Sequence, residues 1–136
     1  MVPVERDDLV VLMEGGYLLL RMGRFDQAKE VFEGVSVLAP ATEVPLVATG
    51  SVFFAQMKYD QAIQHYKKAI ALKPDSAFAH AYLGESLFFR GKKEEAVASL
   101  EKASALEPTG KSGDFARALL EAIKKGYVPP GQMVQH

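Results

Sequence analysis

The chain has 136 residues and no cysteine, and its 16 basic and 17 acidic residues give a net charge of −1. This balance argues against a nucleic-acid surface or a polybasic membrane surface, and the lack of cysteine excludes a disulfide framework or thiolate metal site. The longest uncharged stretch, residues 44–57, is too short to span a bilayer, and the acidic start does not resemble a signal peptide. We therefore expect one small cytoplasmic domain that binds no nucleic acid and does not insert into membranes.

One phrase occurs three times along the chain at a constant spacing. The stretch YDQAIQHYKKAIALKP, residues 59–74, has a counterpart at 25–40 and another at 93–108. The copies are 34 residues apart. Four residue types, one of them in the segment before each copy, recur with the same spacing: Gly16, Gly50, Gly84; Ala28, Ala62, Ala96; Leu38, Leu72, Leu106; and Pro40, Pro74, Pro108. This period predicts a lead-in at residues 1–8 and three units at 9–42, 43–76 and 77–110.

Each unit predicts a pair of helices. The first helices end near Met22, Met57 and Arg90, and a short turn follows. The second helix ends before the recurring proline, because proline disfavours helix in the residue that precedes it. A glycine inside a helix costs about 1 kcal/mol relative to alanine, so three glycines at one register indicate a steric demand. Small residues at these positions allow the two helices of a pair to approach closely.

The first helix, from about Glu5 to Met22, is apolar on nearly all sides and contains the runs LVVLM and YLLL. Only one side can pack against its own second helix and the following unit. The remaining faces therefore call for another subunit or a client. We predict either a homodimer or a client contact through this helix.

Residues 111–126 predict a final helix that caps the array. Asp114 is the predicted N-cap, and Gly126 ends the helix. Its predicted apolar stripe consists of Phe115, Ala118, Leu119 and Ile123. The tail at residues 127–136 has two prolines and no helical period, so we expect it to be extended or disordered.

The sequence contains no residue set that points to catalysis. His65, His80 and His136 have no metal-ligand spacing. Glu94 and Glu95 stand at a helix start, where acidic side chains interact favourably with the helix dipole. The stretch GGYLLLRMG lacks the ending of a phosphate loop. We therefore expect no enzymatic activity and neither a cofactor nor a metal.

The repeated residues resemble the tetratricopeptide repeat family over about three quarters of the chain. The family pattern is met by Gly50, Phe53, Ala62, Tyr66, Ala69 and Pro74, and again by Gly84, Leu87, Ala96, Leu100, Ala103 and Pro108. Unit one departs from the pattern at Gly15 and Val35, and the early tryptophan of the family is absent. The resemblance implies an all-α, right-handed solenoid of three helix pairs plus a capping helix, whose first helices line a concave groove.

The groove that the resemblance implies is mostly apolar and aromatic. Its predicted lining residues are Val10, Met13, Tyr17 and Leu20 from unit one; Val44, Val47, Ser51 and Phe54 from unit two; and Phe78, Ala81, Glu85, Phe88 and Phe89 from unit three. Such a surface is typical of one that anchors a hydrophobic peptide. The predicted anchors are Tyr17, Phe54, Phe78 and Phe88.

The groove also lacks the residues that would bind an acidic client. Tetratricopeptide domains that hold the acidic tails of heat-shock chaperones use Lys, Arg and Asn there. The matching positions of this chain are Met13, Tyr17, Ala48, Phe78 and Tyr82. An apolar client is therefore favoured over an acidic tail.

A narrower resemblance suggests a role for the groove. Three repeats, a groove with Tyr and Phe, and the final helix FARALLEAIKKG are similar to the class II chaperones of bacterial type III secretion. The front of the chain departs from that family, with eight residues before the first repeat. The resemblance implies a cytoplasmic chaperone for a hydrophobic translocator or a needle subunit. The alternative is a generic scaffold or adaptor that assembles a bacterial protein complex.

Overall fold

The computed structural model describes residues 5–132, and its regular secondary structure in this range is entirely α-helical. The helices are α1 (Arg6–Arg21), α2 (Phe25–Leu38), α3 (Val44–Ala55), α4 (Tyr59–Leu72), α5 (Ala77–Phe89), α6 (Lys93–Leu106) and α7 (Lys111–Lys124). Each predicted unit matches one pair of helices, except that α1 begins at Arg6, within the predicted lead-in, and α7 follows the third pair. The predicted all-α solenoid of three helix pairs and a terminal helix is confirmed.

The helices stack in the order of the chain. The pairs are α1 with α2, α3 with α4, and α5 with α6, and each second helix also contacts the first helix of the next pair. Further contacts join α1 to α3, α3 to α5, and α5 to α7. The first helices and α7 therefore form one layer, and the second helices form the other. Within residues 5–132, none of the helices is long and apolar enough to cross a membrane.

Each repeated glycine lies where the two helices of a pair touch. A Cβ atom on Gly50 would lie 2.5 Å from the Tyr66 ring, and one on Gly84 would lie 2.6 Å from Cγ of Leu100. Gly16 faces a ring in the same way. The partner side chains, all fully buried on the second helices, are Phe32, Tyr66 and Leu100. The steric demand predicted from the glycine register is therefore real, because a large buried side chain fills the space above each glycine.

The turns inside the pairs repeat one backbone conformation. Gly23 and Gly91 have positive φ angles of 75° and 90°, and the equivalent residue of the second unit, Met57, has a φ of 61°. Glycine adopts this left-handed conformation without steric cost, whereas a residue with a Cβ is strained there. The second unit therefore makes the same turn with a less suitable residue.

The start of α7 differs from the prediction. The helix begins at Lys111 with Gly110 as its N-cap, so the prediction that Asp114 caps it is wrong. Glu107 supplies the missing acceptor, because its Oε2 atom accepts a hydrogen bond of 2.7 Å from the backbone N–H of Gly113. Asp114 instead accepts a hydrogen bond from Arg117 within the first turn. The buried residues of α7 are Gly113, Ala116 and Ile123, whereas Ala118 of the predicted stripe is exposed.

The segment after α7 returns across the end of α5. The ring of Tyr127 lies 5.9 Å from the ring of Phe88, and Pro129 is buried. The side-chain amide of Gln132 donates a hydrogen bond of 2.9 Å to the carbonyl oxygen of Phe89. Residues 127–132 thus lack regular structure, as expected, but they pack on the repeats. The rest of the predicted tail, residues 133–136, lies outside the described residues.

Candidate peptide-binding groove

The predicted lining residues fall on the layer formed by α1, α3 and α5. Because the repeat has a constant length, residues of one register occupy equivalent places on the three helices. Tyr17, Ser51 and Glu85 form such a row across the middle of the layer. We define the groove as the surface made by the predicted lining residues. One of its ends lies near the α2–α3 loop, and the other lies near the turns inside the pairs.

At one end the groove contains an apolar pocket of about 440 Å³, which we call the α1 pocket. Its walls come from α1, the end of α2 and the start of α3: Arg6, Leu9, Val10, Met13, Glu14, Tyr17, Val35, Ala39, Thr42, Val44 and Pro45. The predicted lining residues Val10, Met13, Tyr17 and Val44 therefore meet in one place. A pocket of this volume with almost entirely apolar walls can hold one or two aliphatic side chains of a ligand.

The middle of the groove combines aromatic rings with a few polar atoms. The Ser51 hydroxyl lies 3.3 Å from the hydroxyl of Tyr66, which reaches the layer from α4. The ring of Tyr82 packs 5.2 Å from Phe78 and is stacked 5.2 Å from Phe115 of α7. These rings surround the row that contains Ser51 and Glu85 with apolar surface.

This environment raises the pKa of the acidic groups in the middle of the groove. Burial raises the pKa of the half-buried Glu85 carboxyl to about 7. Burial, assisted by Tyr82, raises the pKa of Tyr17 to about 12. The pKa of the Tyr66 phenol is also raised, mainly by burial and further by the charge of Glu85, although the hydrogen bond with Ser51 opposes the shift. Low solvation disfavours the charged form of each group.

At the other end, aromatic side chains cluster beside the turns. Phe54 packs edge-on against Phe89 at a centroid distance of 5.0 Å, and Tyr59 lies 5.4 Å from Phe54 and 5.8 Å from Phe89. Phe54 and Phe89 are both partly exposed. Apolar surface is therefore available at both ends of the groove.

Three of the predicted lining residues are buried in the core. Val47 and Ala81 have no exposed surface, and Phe88 is 4% exposed because Phe89 and Tyr127 pack against it. These residues support the groove from below and have little or no surface to offer a ligand. Most of the others are partly exposed, namely Met13, Tyr17, Leu20, Val44, Ser51, Phe54, Phe78, Glu85 and Phe89, and Val10 is more exposed still.

Several residues of the site were missed, and those on α2 and α4 were missed because only the first helices of the units were considered. Val35 of α2 and Pro45 of α3 complete the α1 pocket, and Tyr66 of α4 supplies the hydroxyl beside Ser51. Phe115 of α7 stands one full repeat after Ala81, so extending the repeat into α7 would have predicted its place beside Tyr82.

Solved structures share this fold over most of the chain. The first TPR of Spaghetti (RPAP3) bound to the HSP90 peptide SRMEEVD is 25% identical with a TM-score of 0.73, covering 92% of this chain and 97% of that one. The Yersinia enterocolitica type III secretion chaperone SycD in complex with a peptide of the translocator YopD is 23% identical with a TM-score of 0.73, covering 91% and 98%. SycD as an alternative dimer is also 23% identical, with a TM-score of 0.76 and coverage of 91% and 97%.

Family models identify the repeats directly in the sequence. No curated protein sequence matches the chain. A model described as tetratricopeptide repeat matches residues 12–41 and 79–109, and a model described as TPR repeat matches residues 50–88. These matches span most of the three units, and the matches at residues 12–41 and 79–109 fall on the observed pairs α1–α2 and α5–α6. The chain belongs to the tetratricopeptide repeat family.

Proposed function

We propose that the chain is a protein-interaction module that holds an extended hydrophobic segment of a client protein in the groove. Its role would be that of a cytoplasmic type III secretion chaperone for a translocator or needle subunit. The observation that carries this proposal is the α1 pocket, whose apolar wall residues on α1 and α3 lie in the same layer as the partly exposed Phe54 and Phe89. Side chains of an extended peptide that point to the protein would occupy these two regions.

The chemistry of the groove favours an apolar client over an acidic one. The RPAP3 domain is bound to an acidic HSP90 peptide, whereas the SycD structure holds a peptide of a translocator. The positions of an acidic-tail clamp are Met13, Tyr17, Ala48, Phe78 and Tyr82 in this chain, and none is cationic. The carboxyl group of Glu85 would also repel an acidic ligand in the middle of the groove.

Charge placed in the groove tests this function. Val10 is 47% exposed on the wall of the α1 pocket, so Val10→Glu should fold normally and still place a charge where the client's apolar side chain binds. A matched control is Val37→Glu, because Val37 is 80% exposed on α2 and does not line the pocket. Each variant is co-expressed with an aggregating translocator or needle subunit, and the soluble client is measured.

We expect wild type and Val37→Glu to keep the client soluble and Val10→Glu to lose most of this activity. Phe54→Glu, with its helical circular dichroism checked, should do the same from the other end of the groove. If both groove variants protect the client as well as wild type does, the groove is not the binding site.

The alternative, a scaffold that binds a folded partner through its outer helix faces, has one supporting observation. Val37 and Leu38 stand exposed next to each other at the end of α2. A scaffold of this kind predicts the reverse result, in which Val37→Glu loses the partner and Val10→Glu retains it.

We also propose that a second copy of the chain covers the outer face of α1. This face consists of Val11, Gly15, Leu18 and Met22, which follow one another along one side of the helix and are all exposed. The first turn of α1 is acidic, with Asp7 and Asp8, and its last turn carries Arg21. An antiparallel pair of α1 helices would bury the apolar face and bring the acidic turn of each copy near the basic turn of the other.

A further inference from the structure

Glu85 is a carboxyl group in the middle of an apolar groove, and no residue in the range 5–132 pairs with it. Across residues 5–132 the ion pairs are Arg90–Asp60, Arg117–Asp114 and Lys125–Glu121, and none of them involves Glu85. The side-chain hydrogen bonds of the described residues also leave it without a donor, although the nearby Ser51 and Tyr66 pair with each other. A half-buried carboxylate that makes no such contact is costly, because it loses solvation and gains nothing in return.

The groups around Glu85 carry no charge at physiological pH. The titratable neighbours are the phenols of Tyr66 from α4 and Tyr82 from α5, whose pKa values are raised by burial and by the charge of Glu85. The pKa of the Tyr17 phenol from α1 is raised by burial and further by Tyr82. The hydroxyl of Ser51 on α3 pairs with that of Tyr66, and the ring of Phe115 on α7 stacks on Tyr82. Among the described residues, no cation therefore compensates the carboxylate.

Building on the proposed function, we infer that Glu85 is the specificity-determining residue of the groove and binds a lysine or arginine side chain of the client. A cation at this point would form a charge-assisted hydrogen bond with the carboxylate. It would also lie beside the half-buried ring of Tyr82, and aromatic faces attract cations. A neutral donor would satisfy the hydrogen bond but leave the charge uncompensated, and an acidic side chain would be repelled.

The position of Glu85 predicts the pattern of the client segment. Glu85 shares its register with Tyr17 and Ser51, between the α1 pocket on one side and the cluster of Phe54 and Phe89 on the other. The client segment should therefore carry one basic residue with apolar residues on both sides of it. This pattern differs from that of a purely hydrophobic segment, and it can be selected without knowing the client.

The test is a selection of peptides from a random phage-displayed library on the immobilised chain of residues 1–136. Wild type, Glu85→Gln and the control Glu101→Gln are compared; Glu101 is an exposed carboxylate on α6. We expect wild type and the control to enrich peptides with apolar residues around one lysine or arginine, and Glu85→Gln to lose only the preference for the basic residue. A selected lysine peptide should bind Glu85→Gln about tenfold more weakly than wild type.

The same lysine peptide then gives an independent readout through pH. Its lysine stays protonated between pH 5.5 and pH 8, so a change in affinity reports on Glu85. Affinity for wild type should rise across this range as the carboxyl ionises, and affinity for Glu85→Gln should stay constant.

The outcomes separate the two proposals. Apolar peptides without a preferred basic position, or the same basic preference in Glu85→Gln, would overturn the role of Glu85 and leave the groove function intact. Enrichment of hydrogen-bond acceptors, with affinity falling as pH rises, would also overturn it, since the protonated carboxyl would then be the donor. If no peptide is enriched on wild type, or if Val10→Glu and Phe54→Glu both select the same peptides as wild type, the groove function itself fails.

Discussion

α1 and α5 occupy the same place in their repeats, yet the two helices differ strongly in burial. In α1 the buried residue is Gly16, whereas α5 buries Ala79, Ala81, Leu83, Gly84, Ser86, Leu87 and Phe88. Within residues 5–132, α1 contacts α2 and α3, while α5 contacts α3, α4, α6 and α7. Both helices contain many apolar residues, but α1 also carries five charged residues against one in α5, and it has fewer neighbours to cover its apolar side chains. α5 therefore contributes much of its length to the core, whereas α1 leaves apolar side chains exposed.

The largest effect is expected from overpacking the centre. Gly84→Leu places a side chain where Leu100 already fills the space, and it should lower the free energy of unfolding by about 3 kcal/mol in urea denaturation. Gly16→Leu should cost less, because α1 has fewer neighbours and can move away from Phe32. The matched control is Gly34→Leu, since nothing lies within 4 Å of a Cβ atom at Gly34. Equal losses for Gly84→Leu and Gly34→Leu would contradict the glycine contacts.

A substitution on the exposed face of α1 should weaken the association of two copies and leave the folding of each copy unchanged. Leu18→Glu places a charge in the outer face of α1. We expect the dissociation constant of the dimer to rise by about tenfold or more, because a buried leucine contributes about 1.5–3 kcal/mol. Sedimentation equilibrium at several concentrations measures this, with thermal unfolding as the check on the fold. Val37→Glu on α2 should leave the dimer unchanged. A wild-type chain that remains monomeric at high concentration would remove the proposed dimer.

Glu85 gives α5 a pH-dependent stability that α1, with Tyr17 at the same register, does not share. In the unfolded chain the carboxyl ionises near its usual pKa of 4.5, whereas in the folded chain it ionises near 7. Between these values the folded state retains a proton that the unfolded state has lost. The contribution of Glu85 to the free energy of unfolding therefore falls as pH rises from about 4.5 to 7 and does not change further above pH 7. Glu85→Gln should therefore stabilise the protein by about 1–2 kcal/mol at pH 8 and have little effect at pH 5.

Urea denaturation at both pH values checks this expectation. Glu101→Gln is the control and should show no such dependence, because Glu101 is exposed on α6. A Glu85→Gln variant with the same stability as wild type at pH 8 would mean that the carboxylate is well solvated in the folded protein.

The smallest effect is expected at the turn that distinguishes the second unit from the first and the third. Met57 has a positive φ and is 74% exposed, so Met57→Gly removes backbone strain without loss of packing. We expect a gain of about 0.5 kcal/mol, because the flexibility of glycine in the unfolded chain offsets part of the relief. Gly23→Met, at the equivalent turn of the first unit, should lower the melting temperature while Met57→Gly raises it.

Much of the fold could be predicted from the sequence because the relevant signals are local and repeated. The constant repeat period set the helix pairs, and the register of Gly16, Gly50 and Gly84 set the contact between the helices of each pair. The proline after each second helix marked where that helix ends, since proline restricts the residue before it. The groove-facing layer was implied by the resemblance to tetratricopeptide repeats, and the equal spacing then placed equivalent residues on α1, α3 and α5.

The depth of each groove residue was decided only by the tertiary structure. Phe88 and Phe89 are neighbours in sequence, but Tyr127, which follows the whole of α6 and α7, packs against the Phe88 ring and contributes to burying it. In the same way Glu107 supplied the acceptor at the start of α7 that was assigned to Asp114, and Val35 of α2 closed a pocket that the first helices alone did not define. Local spacing fixes the direction in which a side chain leaves its helix. Which distant side chain covers it, and whether its charge finds a partner, depends on contacts between segments that the period does not relate.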